Sequence, residues 1–473
     1  MAQTYFCETY VFNDAYTLAP IRYKNIGNKF LITTDHGAWI ALNKSEYDAL
    51  HRGKLPNDLF RNLEEKGIIY THNNTKLIEE YYTNRYSFLK NGTSLHIIIP
   101  TLRCNHHCIY CHSSAISSNT QKYDMNHETA KKTLEFIFQT PANIITIEFQ
   151  GGDALLNLDI FQYIIRTAKE MNQTYKKNLR FALVSNLTLI NDDIIDWISH
   201  ERDIDICSSL DGPAFVHNKN RKYETGKPTY KDVVHSIEKI KKRTGKTPGL
   251  LMVTTRYSLP YYKDIIDEYV KHGQKEIQLK YINKLGFAAP IWKKIGYSID
   301  EFIIFWKNAM DYILELNRKG INIRDRYSYL ILQKILTSHE PSFLDFRSPC
   351  GIVIGQLAYN YNGDIYCCDE GRNFELFNLG NVHKNSYKEI ITQEKSLELI
   401  SASINDNYLC DNCVYKPYCG TCPVMNYAEE GNIIPKLAEN SRCKLFKYMF
   451  DYIFEKLLFD PHSRKIFFNW IRS

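Results

Sequence analysis

Arg103-Cys104-Asn105-His106-His107-Cys108-Ile109-Tyr110-Cys111 is the stretch on which the reading of this chain turns. It sets three cysteines in a Cys-x3-Cys-x2-Cys array, with Tyr110 just before the last. Three thiolates can hold three irons of a four-iron, four-sulfur cluster and leave the fourth iron open to a small molecule. A structural zinc site needs a fourth protein ligand close by, and His106, His107 and His112 are near enough to offer one. From these residues alone the cluster is the preferred reading and zinc the plainer alternative.

Working outward, residues 94–100 read as an apolar strand that ends just before Cys104. Strand and helix then alternate. Further strands are expected at 143–149, 178–185, 203–209, 249–255 and 276–282, with amphipathic helices near 127–139, 157–173, 190–199, 228–244, 261–272 and 299–318. Apolar strands alternating with helices mean parallel β/α units. In barrels of such units the functional residues gather at the C-terminal ends of the strands, where Cys104 stands. Three other strand ends repeat the placement: Gln150-Gly151-Gly152-Asp153, Ser185-Asn186, and Ser209-Leu210-Asp211-Gly212-Pro213 with His217 and Arg221 beyond. Paired glycines let a backbone approach a ligand closely, and an acid can pair with an ammonium. A plain turn is the alternative for Gly151-Gly152, and Asp211 reads as a turn residue.

The cysteine array, following a first strand, resembles the cluster motif of the radical S-adenosyl-L-methionine (radical SAM) enzymes. That resemblance implies an α/β fold with a partial (β/α)6 barrel. It also implies a [4Fe-4S] cluster on Cys104, Cys108 and Cys111, whose open iron chelates the amino and carboxylate groups of SAM. An electron, from a low-potential donor such as flavodoxin or ferredoxin, would then release a 5′-deoxyadenosyl radical; the cofactor carries that chemistry and the protein orients it. Gly151-Gly152-Asp153 is similar to the family's Gly-Gly-Glu motif, which receives the SAM amino group, with Asp153 one methylene shorter. The run from Ser209 to Arg221 is similar to a segment of peptide-modifying members. By that resemblance Asn186 and Ser209 face the ribose region, Arg221 pairs with the SAM carboxylate, and Tyr110 belongs to the same cofactor-binding set.

A second cysteine group runs Cys350-x12-Gly363-x4-Cys368, then Cys410-x2-Cys413-x5-Cys419-x2-Cys422, then Cys443. Taken alone, 410–422 could be a zinc knuckle; beside the first motif, soft thiolates favour iron-sulfur. The array resembles the SPASM domain, departing by one residue in the spacing before Cys422. The resemblance implies two auxiliary [4Fe-4S] clusters. Cys410, Cys413, Cys419 and Cys443 would hold one. Cys350, Cys368 and Cys422 would hold the other, with an iron open unless Cys367 or substrate fills it. Asp369 matches the position of the base in anaerobic sulfatase-maturating enzymes, and a carboxylate there could take a substrate proton. A solvated loop acid is the plainer reading. Cys7 and Cys207 read as ordinary small buried residues.

Residues 1–90 read as a winged-helix-like α+β unit, with strands at 21–33, 38–42 and 67–70 and helices at 45–52 and 56–66. Asp58, Glu64 and Glu65 against Arg61 and Lys66 make a poor surface for phosphates, which disfavours DNA binding. The arrangement is similar to the peptide-recognition domain of ribosomal-peptide maturases, which takes a leader peptide as an added strand. The expected organisation is therefore 1–90 recognition, 91–318 barrel, 319–349 a bridging segment with a helix at 322–337, 350–443 SPASM, and 444–473 a C-terminal packing helix.

At 473 residues, 44% hydrophobic and 24% charged, the chain has room for two or three domains. A net charge of +6 is too small to argue for nucleic acid. No secretory signal and no apolar run of membrane-spanning length is visible, so the cytoplasm is the expected compartment and no membrane partner is expected. The resemblances together imply a radical SAM/SPASM oxidoreductase that modifies a ribosomally made precursor peptide by cross-link, thioether, oxidation or epimerisation. Residues 147–152, 254–259, 359–366 and 415–420 are most similar to the maturase of the His-Xaa-Ser system, the HxsB family. The alternatives are a sulfatase-maturating type of enzyme acting on a protein and, in another class, a metal-stabilised DNA-binding regulator.

Overall fold

Strands Leu95–Ile98, Ile144–Phe149, Asn178–Val184, Ile204–Ser209 and Gly249–Leu251 lie side by side in chain order, all parallel. They come from a computed structural model that describes residues 12–13, 16–201, 203–338, 340–341 and 343–472. Ile145, Ile147 and Phe149 alternate into the interior, as a half-covered strand requires. Helices His127–Ile137, Leu158–Tyr175, Asp192–Glu201, Tyr230–Thr244 and Tyr262–Lys271 fall between and after them, where the apolar periodicity places them. The strand expected at 249–255 stops at Leu251, and that at 276–282 shrinks to Glu276–Ile277. A parallel bridge between Thr254 and Tyr281 still carries the curve onward, and Glu276–Ile277 pairs with Arg324–Asp325.

The first strand's other edge is taken by the second cysteine region. Gln356–Tyr359 pairs parallel to Leu95–Ile98, and Asp364–Tyr366 and Asn378–Asn381 follow antiparallel. The sheet therefore runs unbroken from the barrel into the region of the second cysteine group, and one core cluster continues through both and on to the C-terminal helices. Those helices differ from the single packing helix expected over 444–473. They are Ser441–Phe459 and Pro461–Arg472. Proline has no N–H to continue a helix but suits a first helical position, and Asp460 caps the new start by accepting from the Ser463 N–H at 3.0 Å.

Near the N-terminus, Ile21–Ile26, Lys29–Thr34 and Trp39–Leu42 form an antiparallel sheet. Asn43 and Glu46 then form a capping box that starts helix Lys44–His51. Alternation sends Ile32, Ile40 and Leu42 into a small core of the unit's own, and Ile26 and Leu31 into the main core. The second face is bonded to the rest of the molecule. Thr33 donates to the Val414 carbonyl at 2.7 Å, Trp39 to that of Ile335 at 2.8 Å, and Lys24 pairs with Asp451 at 2.5 Å. Helix Thr75–Arg85, rich in charge and tyrosine, shows no apolar stripe in the sequence. Among the described residues no helix is long and apolar enough to cross a membrane. Cys7 lies outside the described residues, and Cys207 is only partly buried on its strand.

Candidate active site and cysteine centres

The loop carrying Cys104, Cys108 and Cys111 is fixed from below. Arg103 forks onto Asp124 at 2.8 and 2.6 Å and also donates to the Leu156 carbonyl at 2.6 Å. Gly152 N donates to the Thr101 carbonyl and Asp153 N to that of Arg103, at 3.0 and 2.7 Å. A Cβ on Gly152 would stand 2.0 Å from the Arg103 oxygen, and Gly151 sits at φ +118°. The close approach these glycines allow is thus to the backbone that enters the cysteine loop. The buried Asp153 carboxylate accepts from Ser185 Oγ at 3.0 and 2.9 Å, from Asn186 N at 2.9 Å and from Leu155 N at 3.1 Å. It fixes the Ser185-Asn186 turn, while burial raises its pKa. Asn186 in turn reaches Asn105 at 2.8 Å and stands 3.7 Å from the Cys104 sulfur. Ser209, at the end of its strand, is half-buried.

Asp211, read from the sequence as a turn residue, does more. It is 0% exposed. Its Oδ2 accepts from the Tyr110 hydroxyl at 2.5 Å and from Arg221 Nε at 3.2 Å, and its Oδ1 accepts from Val253 N at 3.1 Å. Arg221 lies over the Tyr110 ring, 5.1 Å from its centroid, and its Nη1 stands 3.7 Å from the Cys108 sulfur. Tyr110, Asp211 and Arg221 thus form one buried group behind the cysteine loop.

The donor set fits a cluster held by three cysteines. Burial holds the Cys104 thiol well above its ordinary pKa and pushes that of Cys108 up to about 12. Such thiols ionise when a metal cation binds them. N–H groups of His106, Asn186 and Arg221 are trained on two of the sulfurs, as cluster sulfurs require. His106 turns Nε2 toward Thr188 at 3.3 Å and leaves Nδ1 buried without a hydrogen-bond partner. His107 is exposed against Phe287, and His112 turns to Asp369. Among the described residues no three His, Cys, Asp or Glu gather into a group that could hold a single metal ion.

The two cysteine regions meet at Asp369. Its Oδ2 lies 2.8 Å from His112 Nε2, the residue after Cys111. Its Oδ1 accepts from Arg372 Nε and Nη2 at 3.0 and 2.7 Å, and Arg372 also donates to Ser113 Oγ at 3.2 Å. Burial alone would raise the Asp369 pKa, but Arg372 and His112 outweigh it and hold the carboxyl far below the usual range. His112, noted in the sequence only as a possible zinc ligand, and Arg372 are residues that sequence reasoning missed.

The remaining cysteines fall into two groups. Lys447 lies within electrostatic reach of Cys443, Cys413, Cys410 and Cys419; burial lowers its pKa, and these four thiols more than reverse that. They line one pocket with about 580 Å³ of empty space, part of it open. Cys422 interacts with Cys350 and Cys368, and with Arg442. Burial pushes the Cys350 thiol up to about 12 and that of Cys410 up to about 11. Cys367 stands beside Cys368, sulfur to sulfur 3.9 Å.

Comparison with known proteins bears on the family and the fold. Residues 98–277 match the model of the radical SAM superfamily, and residues 350–423 that of the iron-sulfur cluster-binding SPASM domain. An uncharacterized protein of Methanocaldococcus jannaschii is 33% identical over 301 residues, 62% of this chain and 91% of that protein. The cysteine-type anaerobic sulfatase-maturating enzyme of Clostridium perfringens strain 13 is 27% identical over 368 residues, 75% of this chain and 94% of that enzyme. Among solved structures, native anSMEcpe with bound AdoMet superposes with a TM-score of 0.67 at 22% identity, covering 79% of this chain and 99% of its own. Streptococcus suis SuiB bound to S-adenosylmethionine superposes at 0.54 and 14% identity, covering 88% and 97%. The chain belongs to the radical SAM superfamily, as a SPASM-containing member, and is an oxidoreductase of that family. Nothing in these likenesses points to the His-Xaa-Ser maturases in particular.

Proposed function

We propose that the chain modifies a side chain of a protein or peptide, in the manner of the sulfatase-maturating enzymes it is similar to. One observation carries the reading: the His112–Asp369 hydrogen bond joins the residue after Cys111 to the residue after Cys368. An acid–base pair therefore stands between the first cysteine centre and the second. When bound, the cluster and SAM would supply the radical chemistry that takes a hydrogen atom from the substrate. Cys104, Cys108 and Cys111 hold that cluster. The Tyr110–Asp211–Arg221 group and Asn186 orient and shield it. Arg372 and His112 keep Asp369 ionised and oriented, so it would take a substrate proton only as it gives up one of these contacts. Cys350, Cys368 and Cys422, with Cys410, Cys413, Cys419 and Cys443, would hold the auxiliary clusters, which would supply the acceptor for the electron left once the hydrogen atom and the proton are gone.

A second reading, maturation of a ribosomal precursor peptide, is favoured by the N-terminal sheet. Among the described residues Ile21–Ile26 and Trp39–Leu42 each pair on one side only, which leaves edges for an added peptide strand. SuiB, similar over more of this chain than anSMEcpe, has a form bound to the precursor peptide SuiA. The finer resemblance to the HxsB family belongs to this reading and rests on the sequence stretches alone. Anaerobic co-expression with a sulfatase, and separately with short peptides encoded beside this gene, tests both. A mass change confined to the sulfatase supports the first reading, and one confined to a peptide supports the second. SAM cleavage with neither polypeptide changed contradicts both.

A further inference from the structure

A second pocket opens where three parts of the chain meet. Arg85 and Phe88 come from the N-terminal side, Lys334 and Glu340 from the bridging segment, and Arg347 from the approach to Cys350. It encloses about 950 Å³ of empty space, part of it open. Two of its three buried basic side chains are matched. Lys334 pairs with Glu340 at 3.1 Å and donates to the Phe346 carbonyl, and Arg85 donates to the Pro417 carbonyl. Arg347 has no such close partner: Glu340 and the Cys350 sulfur act on it only at longer range. It is 4% exposed, its Nε is buried without an acceptor, and among the described residues its side chain has neither a hydrogen bond nor an ion pair. It is nonetheless held in place. Its guanidinium lies 4.3 Å from the Phe88 ring centroid and backs onto Gly355, where a Cβ would stand 2.1 Å from Nη2.

A guanidinium fixed on a pocket wall, with its Nε buried and without an acceptor, favours an anion, and its planar fork fits a carboxylate. The walls limit what kind of anion. Tyr82, Tyr86 and Phe88 line the pocket, with Leu89 and Ile404 exposed; its carboxylates are engaged, Glu340 by Lys334 and Asp35 by Arg22 at 2.6 Å. A free inorganic anion gains nothing from such surfaces, whereas an acidic residue flanked by apolar ones gains from both. We propose that this junction pocket binds an acidic side chain of the polypeptide substrate, with Arg347 as its anchor. The inference rests on the reading that the substrate is a polypeptide.

The test uses the full-length, anaerobically reconstituted protein. The probe is acetyl-Leu-Glu-(4-fluorophenylalanyl)-amide, with its Gln counterpart as neutral control, both read by fluorine NMR line broadening. The expected result is at least a ~10-fold preference for the Glu probe, the scale of one charged hydrogen-bonded pair. R347Q, checked for folding by thermal melting, should abolish the preference. G355A should weaken it with the arginine still present, because the new methyl displaces the guanidinium. Equal broadening by the two probes, or a preference that survives R347Q, overturns the inference. So does displacement of the Glu probe by inorganic phosphate at lower concentration than the probe itself, which would mark a small-anion site. An R347Q protein with an altered auxiliary-cluster EPR signal and an intact preference would assign Arg347 to the cluster instead. Absent preference with polypeptide modification intact defeats the pocket alone. A retained preference with no polypeptide ever modified defeats the proposed function and leaves the carboxylate site.

Discussion

Asp211 carries its interactions on a carboxylate that water does not reach. D211N would leave Arg221 buried and charged with its counter-ion gone. Breaking a buried pair in this way costs roughly 3–5 kcal/mol. The expected outcome is a lower denaturant midpoint and less iron retained per chain; a midpoint equal to wild type would mean that Asp211 only shapes the turn. Asp369 is a different case: its contacts fix a carboxylate where the two cysteine regions meet, and the proposed function makes it the proton acceptor. D369N should keep SAM cleavage and slow substrate modification by about 10²–10⁴-fold, the range for a positioned general base. Equal loss of both activities, measured by 5′-deoxyadenosine and product mass, would make Asp369 a structural residue. At this scale the grouping of Cys104, Cys108 and Cys111 is legible in the sequence because their spacing is local. Asp211, His112 and Arg372 are not, since their roles come from partners up to 259 positions away.

Elements were legible wherever a period repeats for two turns or more. Ile144–Phe149 and Leu158–Tyr175 stand within a residue or two of their expected bounds, since alternation and the 3.6-residue stripe are strong there. Arg324–Asp325 and Ala214–Asn220 are too short to leave such a signal, and the pairing of Gln356–Tyr359 with Leu95–Ile98 is non-local. The Gly151-Gly152 turn is legible as a close approach, but not in what it approaches. Helix Arg326–Leu336 carries a consequence for pH. Burial lowers the Lys334 pKa to about 7, from an ordinary value near 10.4. Between those values the unfolded chain binds the extra proton, so stability rises with pH across that window. The rise is on the order of 5 kcal/mol in total. K334M should flatten the rise, as seen in denaturant midpoints between pH 7 and 10; an unchanged slope would mean that Lys334 keeps its charge.

The molecule as a whole is tied together through its second cysteine region. That region shares a sheet with the barrel, a core with the C-terminal helices, and the Thr33–Val414 bond with the N-terminal sheet. The sequence suggests separable units, because each has its own pattern of periods, while the face by which the N-terminal sheet docks appears only when Ile26 and Leu31 are seen in the main core. Removing residues 1–90 should therefore lower auxiliary iron per chain. Full iron in the truncated protein would make that unit a loosely tethered one. The central claim is that Cys104, Cys108 and Cys111 hold the centre at which SAM is cleaved. It is tested most directly by assaying iron and 5′-deoxyadenosine, under reducing anaerobic conditions, in the wild-type protein and in the variant with all three cysteines replaced by alanine. The account predicts a fall from about twelve irons per chain to about eight, with SAM cleavage abolished. Cleavage that persists in the variant, or zinc in place of iron in the wild type, would contradict it.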